Sequence, residues 1–358
     1  MAASSAAKCN IQTHWGRPQS ALFFIPFRLF CHLRPFGSKI KIRHPMKRLF
    51  TLFTALLLTA TTYAGEEEII LNTPTGDIHG KLMLPDGGTP CPVVIIIAGS
   101  GPTDMDGNTI IAGMKNNSLL YLAQELASKG IASVRYDKRG IGKSSAAGTK
   151  EEDLRFEHYI NDAAAWADKL GSDKRFNKVI IAGHSEGSLI GMVAARESKA
   201  VKAYISISGC GSPAYEILEK QLQGQPVQIQ EESAAICKEL REGRTVEQVP
   251  FYLASLYRQS VQPYLISWFA YNPAVEIAKL DIPVLILQGD KDIQVGTEEA
   301  DKLHTALPTS SLYIIKEMNH VLKQCSTMEQ MAQLATYSDP TLPINPELVS
   351  HITRFIKE

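Results

Sequence analysis

Lys178-Val179-Ile180-Ile181-Ala182-Gly183-His184-Ser185-Glu186-Gly187 decides how this chain folds. The apolar, β-branched run at its start reads as a strand buried on both faces. The segment after it, Ser188-Leu189-Ile190-Gly191-Met192-Val193-Ala194-Ala195, reads as a helix. A serine between strand and helix, with glycine two residues to either side, has the form of a nucleophile elbow: the turn is sharp and strained, and the glycines let strand and helix approach closely. Ser185 is then expected to stand exposed above a sheet. Because G-x-S-x-G is a short pattern, the flanking strand and helix carry most of its weight.

Outward from this point the same alternation continues. Residues 69–72 and 77–84 read as a hairpin around 74–76, and residues 92–98 as a short apolar strand. A helix over 118–129 closes at Gly130, 131–136 is the next strand, and a helix covers about 155–170. After the elbow come strands at 203–207, 283–287 and 311–315, with a helix between the last two. Strands alternating with helices imply a mostly parallel sheet covered on both faces, whose ligands bind beyond the carboxyl ends of the strands. Between 211 and 280 the alternation stops. That segment is amphipathic, charged and Gln-rich, too long and too patterned for a plain loop, and it reads as an inserted helical lid. Its rings, Phe251, Tyr252, Tyr257, Tyr264, Trp268 and Phe269, either line an apolar pocket or form the insertion's own small core.

The chain has 358 residues and a formal charge of zero, but the charge is unevenly spread. Residues 1–65 hold nine Lys or Arg and no Asp or Glu, so the remainder carries 28 basic against 37 acidic residues, about −9. A net-acidic body argues against nucleic acid as a partner. Met46-Lys47-Arg48, the leucine-rich run 49–60 and the small residues around Thr62-Tyr63-Ala64 have the form of a secretory signal. Residues 46–64 are therefore expected to be a signal peptide, 1–45 an upstream artefact of gene calling or a disordered extension, and the mature chain to be periplasmic or secreted. An Arg-rich transit peptide is the rival. The apolar run is too short for a membrane span, and no cysteine follows the cleavage region, so no stable membrane anchor is expected. In an exported chain Cys91, Cys210, Cys237 and Cys325 meet disulfide-permissive conditions. Cys91 precedes a strand and Cys210 follows one, at opposite ends of a parallel sheet, which leaves Cys237 with Cys325 as the pair to weigh against four buried free thiols.

A serine hydroxyl is a weak nucleophile and needs a base, which in turn needs a carboxylate to hold its tautomer. In the elbow fold the chain order is Ser, Asp or Glu, His. The strand at 283–287 runs into Gln288-Gly289-Asp290-Lys291-Asp292-Ile293-Gln294-Val295, and the strand at 311–315 into Lys316-Glu317-Met318-Asn319-His320. His304 and His351 lie inside helical patterns, so His320 is the candidate base; Asp290 and Asp292 both qualify as the acid.

Four motifs now stand together: Ala98-Gly99-Ser100-Gly101-Pro102-Thr103-Asp104, Arg135-Tyr136-Asp137-Lys138-Arg139-Gly140-Ile141-Gly142-Lys143-Ser144, the elbow, and the 289–295 loop. From about Ile69 to its end the chain resembles the α/β-hydrolase superfamily, in particular its lidded branch of serine aminopeptidase-like and acyl-esterase-like bacterial hydrolases. The resemblance implies a core of 65–210 and 281–358 with a lid of 211–280, and it selects Asp292, three residues after the glycine, as the acid. The oxyanion hole is expected to combine the backbone N–H of Glu186 with that of Ser100 or Gly101. The first motif lacks the histidine that commonly precedes its glycine. Of the lid's rings, Tyr264, Trp268 and Phe269 are taken as candidate substrate contacts.

Two other patterns fail. Gly142-Lys143-Ser144 lacks the glycine that a phosphate-binding loop needs five residues earlier, where Asp137 stands. Asp104-Met105-Asp106-Gly107-Asn108 has its glycine misplaced for a calcium loop, and Lys115 where a glutamate is required. Both read as structural turns, and neither a metal nor a cofactor is expected. Arg135, Asp137 and Arg139 either organise the loop beside the site or are simply solvated. The expectation is a serine esterase acting through an acyl-enzyme on a small-molecule ester, with a peptidase or thioesterase as the alternatives and a non-catalytic binding module as the reading from another class.

Overall fold

The computed structural model describes residues 65–109, 112–148 and 150–358; the signal-peptide and upstream segments lie outside them. Eight strands, β1 (Glu66–Thr73), β2 (Gly76–Met83), β3 (Cys91–Ile97), β4 (Ala132–Tyr136), β5 (Phe176–His184), β6 (Val201–Ile207), β7 (Val284–Gly289) and β8 (Ser311–Ile315), form one sheet in the order β1-β2-β4-β3-β5-β6-β7-β8. The hairpin β1–β2 is antiparallel and β2 pairs antiparallel with β4; every later pairing is parallel. The parallel strands β3 to β7 are almost wholly buried, as continuous Val/Ile runs require when both faces are covered.

Alternate side chains of β3 feed two cores. Val93, Ile95 and Ile97 pack with helices α2 (Phe156–Gly171) and α3 (Glu186–Glu197), whereas Val94 and Ile96 pack with α1 (Ser118–Ser128) and the final helix, α11 (Pro346–Lys357). The period of two along the strand thus puts helices on both faces. Between β6 and β7 stand five helices, α4 (Ala214–Gln221), α5 (Val227–Arg241), α6 (Ala254–Tyr257), α7 (Gln262–Phe269) and α8 (Pro273–Ile277). Helix α9 (Thr297–Ala306) joins β7 to β8, and α10 (Gln330–Tyr337), which has no counterpart in the sequence reading, precedes α11. Among the described residues no helix is long and apolar enough to cross a membrane, and no cluster of three or more His, Cys, Asp or Glu has metal-binding geometry.

All four described cysteines are free, so the Cys237–Cys325 pairing is corrected. The Cys237 thiol lies 3.2 Å from the Tyr257 hydroxyl inside the α4–α8 segment, and the Cys325 thiol contacts the Thr327 carbonyl in the loop after β8. Solvation of Arg135, Asp137 and Arg139 is likewise corrected: all three are buried. Arg139 makes a fork-to-fork pair with Asp162, Arg135 reaches Glu66 and Asp106, and Asp137 accepts the N–H groups of Met105 and Lys143, bracing the two loops beside β3 and β4.

Candidate active site

The turn that presents Ser185 is strained as its sequence predicts, with φ 56° and ψ −123° between the end of β5 and the start of α3. Its neighbours show why glycine is needed. A Cβ on Gly183 would lie 2.1 Å from the Gly187 carbonyl oxygen, and one on Gly187 would lie 2.4 Å from that of Ile97. The Ser185 N–H donates to the Ile207 carbonyl at 3.0 Å, which anchors the turn to the end of β6.

Asp292 and His320 come from loops after β7 and β8, at the same end of the sheet. His320 Nε2 lies 3.2 Å from Ser185 Oγ, and His320 Nδ1 lies 2.8 Å from Asp292 Oδ2. A carboxylate only accepts, so Nδ1 carries the proton and Nε2 is left with a lone pair facing the hydroxyl. Asp292 is 5% exposed, and its other oxygen accepts the N–H groups of Gln294 and Val295 at 2.8 and 2.9 Å. Burial would raise this carboxyl, but the charge of His320, its hydrogen bond and the two backbone donors outweigh it and hold the group below the ordinary aspartate value. Asp290, the alternative acid, is directed elsewhere: it accepts the Glu317 N–H at 2.6 Å and pairs with Lys291, tying the two loops together.

A cleft opens above Ser185. Ser100, Ser185 and Glu186 form one side, and Leu189, Ala214, Ile217, Leu218, Trp268 and Val295 give it an apolar wall. Ser212, Gln221 and Gln294 add further polar groups. Of the candidate oxyanion donors, Ser100 and Glu186 border the cleft and Gly101 does not. Among the three candidate substrate rings, Trp268 lines the cleft, stacked on Phe156 at 5.9 Å. Phe269 is corrected to a core position against Tyr215, and Tyr264 to a buried one. Phe251 and Tyr252 are exposed, so neither assignment of the insertion's rings holds for all six.

Two features of the site escaped the sequence reading, the role of His184 and the pairing of the Glu186 carboxylate. His184 is buried beside His320, with ring centroids 4.9 Å apart, and its Nε2 donates to the His320 carbonyl at 2.8 Å. Burial, helped by the charge of His320, pushes its pKa down to about 3, so it serves as a neutral prop. Glu186 does more than offer its N–H. Its carboxylate is buried, paired with Lys138 Nζ at 2.9 Å and hydrogen-bonded by the Tyr264 hydroxyl. The signal was available: a glutamate inside an apolar elbow has to be paired, and Lys138 stands in one of the four motifs.

Strand order, elbow and placement of the three side chains are those of the α/β-hydrolase fold. Comparison with known proteins agrees with that class. The sequence model of the serine aminopeptidase (S33) family matches residues 110–266, which includes Ser185 but neither Asp292 nor His320. The chain is similar to esterase EstD of Thermotoga maritima, 27% identical over 270 residues; the match covers 72% of this chain and 60% of that protein. Two solved structures share the fold. They are Est1E from Butyrivibrio proteoclasticus with bound ferulic acid (TM-score 0.54, 18% identity, 81% of this chain and 100% of that one) and a Pyrococcus furiosus esterase (0.52, 16%, 82% and 91%).

Proposed function

We propose that the chain is a serine hydrolase that cleaves carboxylic esters of small molecules through an acyl-enzyme. The observation that carries this is the chain of contacts Ser185–His320–Asp292, 3.2 and 2.8 Å long, at the floor of a mostly apolar cleft. Ser185 Oγ attacks the acyl carbon while His320 Nε2 takes its proton. Asp292 holds the tautomer and stabilises the imidazolium, and the N–H groups of Ser100 and Glu186 receive the developing oxyanion. His320 then returns the proton to the leaving alcohol, and water attacks the acyl-enzyme by the same route.

An ester fits the cleft better than a peptide with a free amino terminus, which requires a carboxylate to receive its ammonium group. Among the described residues Glu186 is the one acidic residue that lines the cleft, and its carboxylate is committed to Lys138 and Tyr264. The similarity to an esterase supports the same reading. In this proposal residues 211–280 act as a lid, a reading supported by Ala214, Ile217, Leu218 and Trp268, which line the cleft. The chain is exported after cleavage near Gly65, a proposal checked by amino-terminal sequencing of the mature protein.

The test of activity combines fluorophosphonate labelling with turnover of p-nitrophenyl esters of increasing acyl length and of aminoacyl-anilides. Labelling and ester hydrolysis that vanish in Ser185→Ala, a loss of about 10⁶ in kcat, are expected. Absence of Ser185-dependent labelling in folded protein would refute the proposal, and faster anilide than ester turnover would move it to a peptidase.

A further inference from the structure

Lys138 is 1% exposed, and its ammonium group makes three contacts. It donates to the Gly99 carbonyl at 2.6 Å and to Glu186 Oε2 at 2.9 Å, and it sits 4.9 Å from the centroid of the Tyr159 ring. Gly99 and Glu186 are not arbitrary partners. The Gly99 carbonyl belongs to the same peptide unit as the Ser100 N–H, and in a planar trans peptide those two groups point in opposite directions. A cation fixed on the carbonyl therefore turns the Ser100 N–H to the other side, where Ser100 borders the cleft with Ser185. Glu186 supplies the second donor, and its carboxylate is held by the same ammonium group. Among the described residues neither N–H has a protein acceptor.

We propose that Lys138 is a positioning residue that sets both donors of the oxyanion hole from behind, and that Tyr264, by donating to Glu186, joins α7 of the insertion to that assembly. The proposal rests on the esterase reading above. Stability alone does not explain the arrangement, because a buried ion pair is seldom more stabilising than apolar residues of the same volume. What an apolar pair cannot do is donate to the Gly99 carbonyl. The network spans four segments, the loops after β3 and β4, the elbow and α7, and so couples the wall of the cleft to the place where negative charge develops.

The experiment compares Glu186→Gln, which keeps the Lys138 bond to Gly99, with the double variant Lys138→Met/Glu186→Gln, which removes that bond but leaves no charge buried alone. Turnover of a p-nitrophenyl ester is expressed per fluorophosphonate-titrated site, and Tm is measured alongside. The double variant is expected to melt higher than Glu186→Gln yet to turn over at least tenfold more slowly, with kcat about 10² below the parent, the order of one lost oxyanion donor, and KM within about threefold. Its affinity for an alkyl boronic acid, whose tetrahedral adduct occupies the hole, should fall in step with kcat while affinity for the carboxylate product holds. If kcat follows Tm instead, or the double variant turns over within threefold of the parent, Lys138 is only structural and the proposal fails. Should the double variant not fold, Tyr264→Phe carries the test: boronate affinity two- to tenfold weaker supports the proposal, and unchanged affinity overturns it. A parent that neither labels nor turns over would instead refute the esterase reading.

Discussion

Asp292→Asn is the most exacting test of the site, because every group that faces this carboxylate is a donor. Oδ1 accepts the Gln294 and Val295 N–H groups at 2.8 and 2.9 Å, and Oδ2 accepts His320 Nδ1 at 2.8 Å and Gln288 Nε2 at 3.1 Å. An asparagine has one oxygen and one NH₂. If the oxygen stays on the two backbone donors, the NH₂ faces His320 and donates to Nδ1, which forces the imidazole proton onto Nε2. The histidine then points an N–H at Ser185 and cannot take its proton. Gln288 Nε2, which also donates to the Val295 carbonyl at 2.8 Å, loses its 3.1 Å bond to Oδ2 in this arrangement, the cost of a single contact. The reversed asparagine would set NH₂ against two backbone N–H groups in a buried loop, which costs more. The wrong tautomer lowers kcat by about 10⁴, or about 5.5 kcal/mol in activation free energy, with KM nearly unchanged. The assay is ester turnover per titrated site, beside Asp290→Asn, which touches only the Glu317 N–H and Lys291 and should lose less than about tenfold. Asp292→Asn within tenfold of the parent, or a larger loss in Asp290→Asn, would refute this reasoning.

Gly187→Ala drives a methyl group to 2.4 Å from the Ile97 carbonyl oxygen, backbone that cannot yield cheaply, so a loss of about 3 kcal/mol or more is expected in urea unfolding, together with loss of labelling. His184 has a folded-state pKa pushed down to about 3 from an ordinary 6.5, so unfolding takes up a proton between those values and stability falls as pH drops from about 6.5 toward 3. Removing this group in His184→Asn should flatten the stability–pH profile in that window by up to about 1.4 kcal/mol per pH unit; an unchanged slope would show that His184 already titrates normally. Trp268→Ala removes an aromatic side chain that lines the cleft and should raise KM for short acyl esters while shifting preference toward longer ones, read from the p-nitrophenyl ester series.

Much of this was legible along the chain because it rests on local patterns. The Val/Ile runs of β3, β5 and β7, the glycines around Ser185 and the positions of Asp292 and His320 after strands all follow from spacing, and each is where the structure has it. The acid was resolved only through resemblance, since Asp290 and Asp292 stand on the same loop two residues apart; the fold separates them by turning one toward His320 and the other toward Glu317. Rings of the insertion were not resolvable by pattern, because a helical stripe does not say what covers it. Phe269 met Tyr215, and Tyr264 met Glu186.

The sequence by itself determined the strand-turn-helix at Ser185, the order of nucleophile, acid and base, and the parallel character of the sheet, because periodicity, glycine placement and chain order are local properties. Only the tertiary structure decided that Lys138 lies behind the Gly99 carbonyl, that His184 props His320, and that Glu186 has no carboxylate to spare for a substrate. Those contacts join residues 39, 136 and 78 positions apart. Buried charge must be paired, but which partner pairs it is set by how strands β3, β4 and β5 lie side by side.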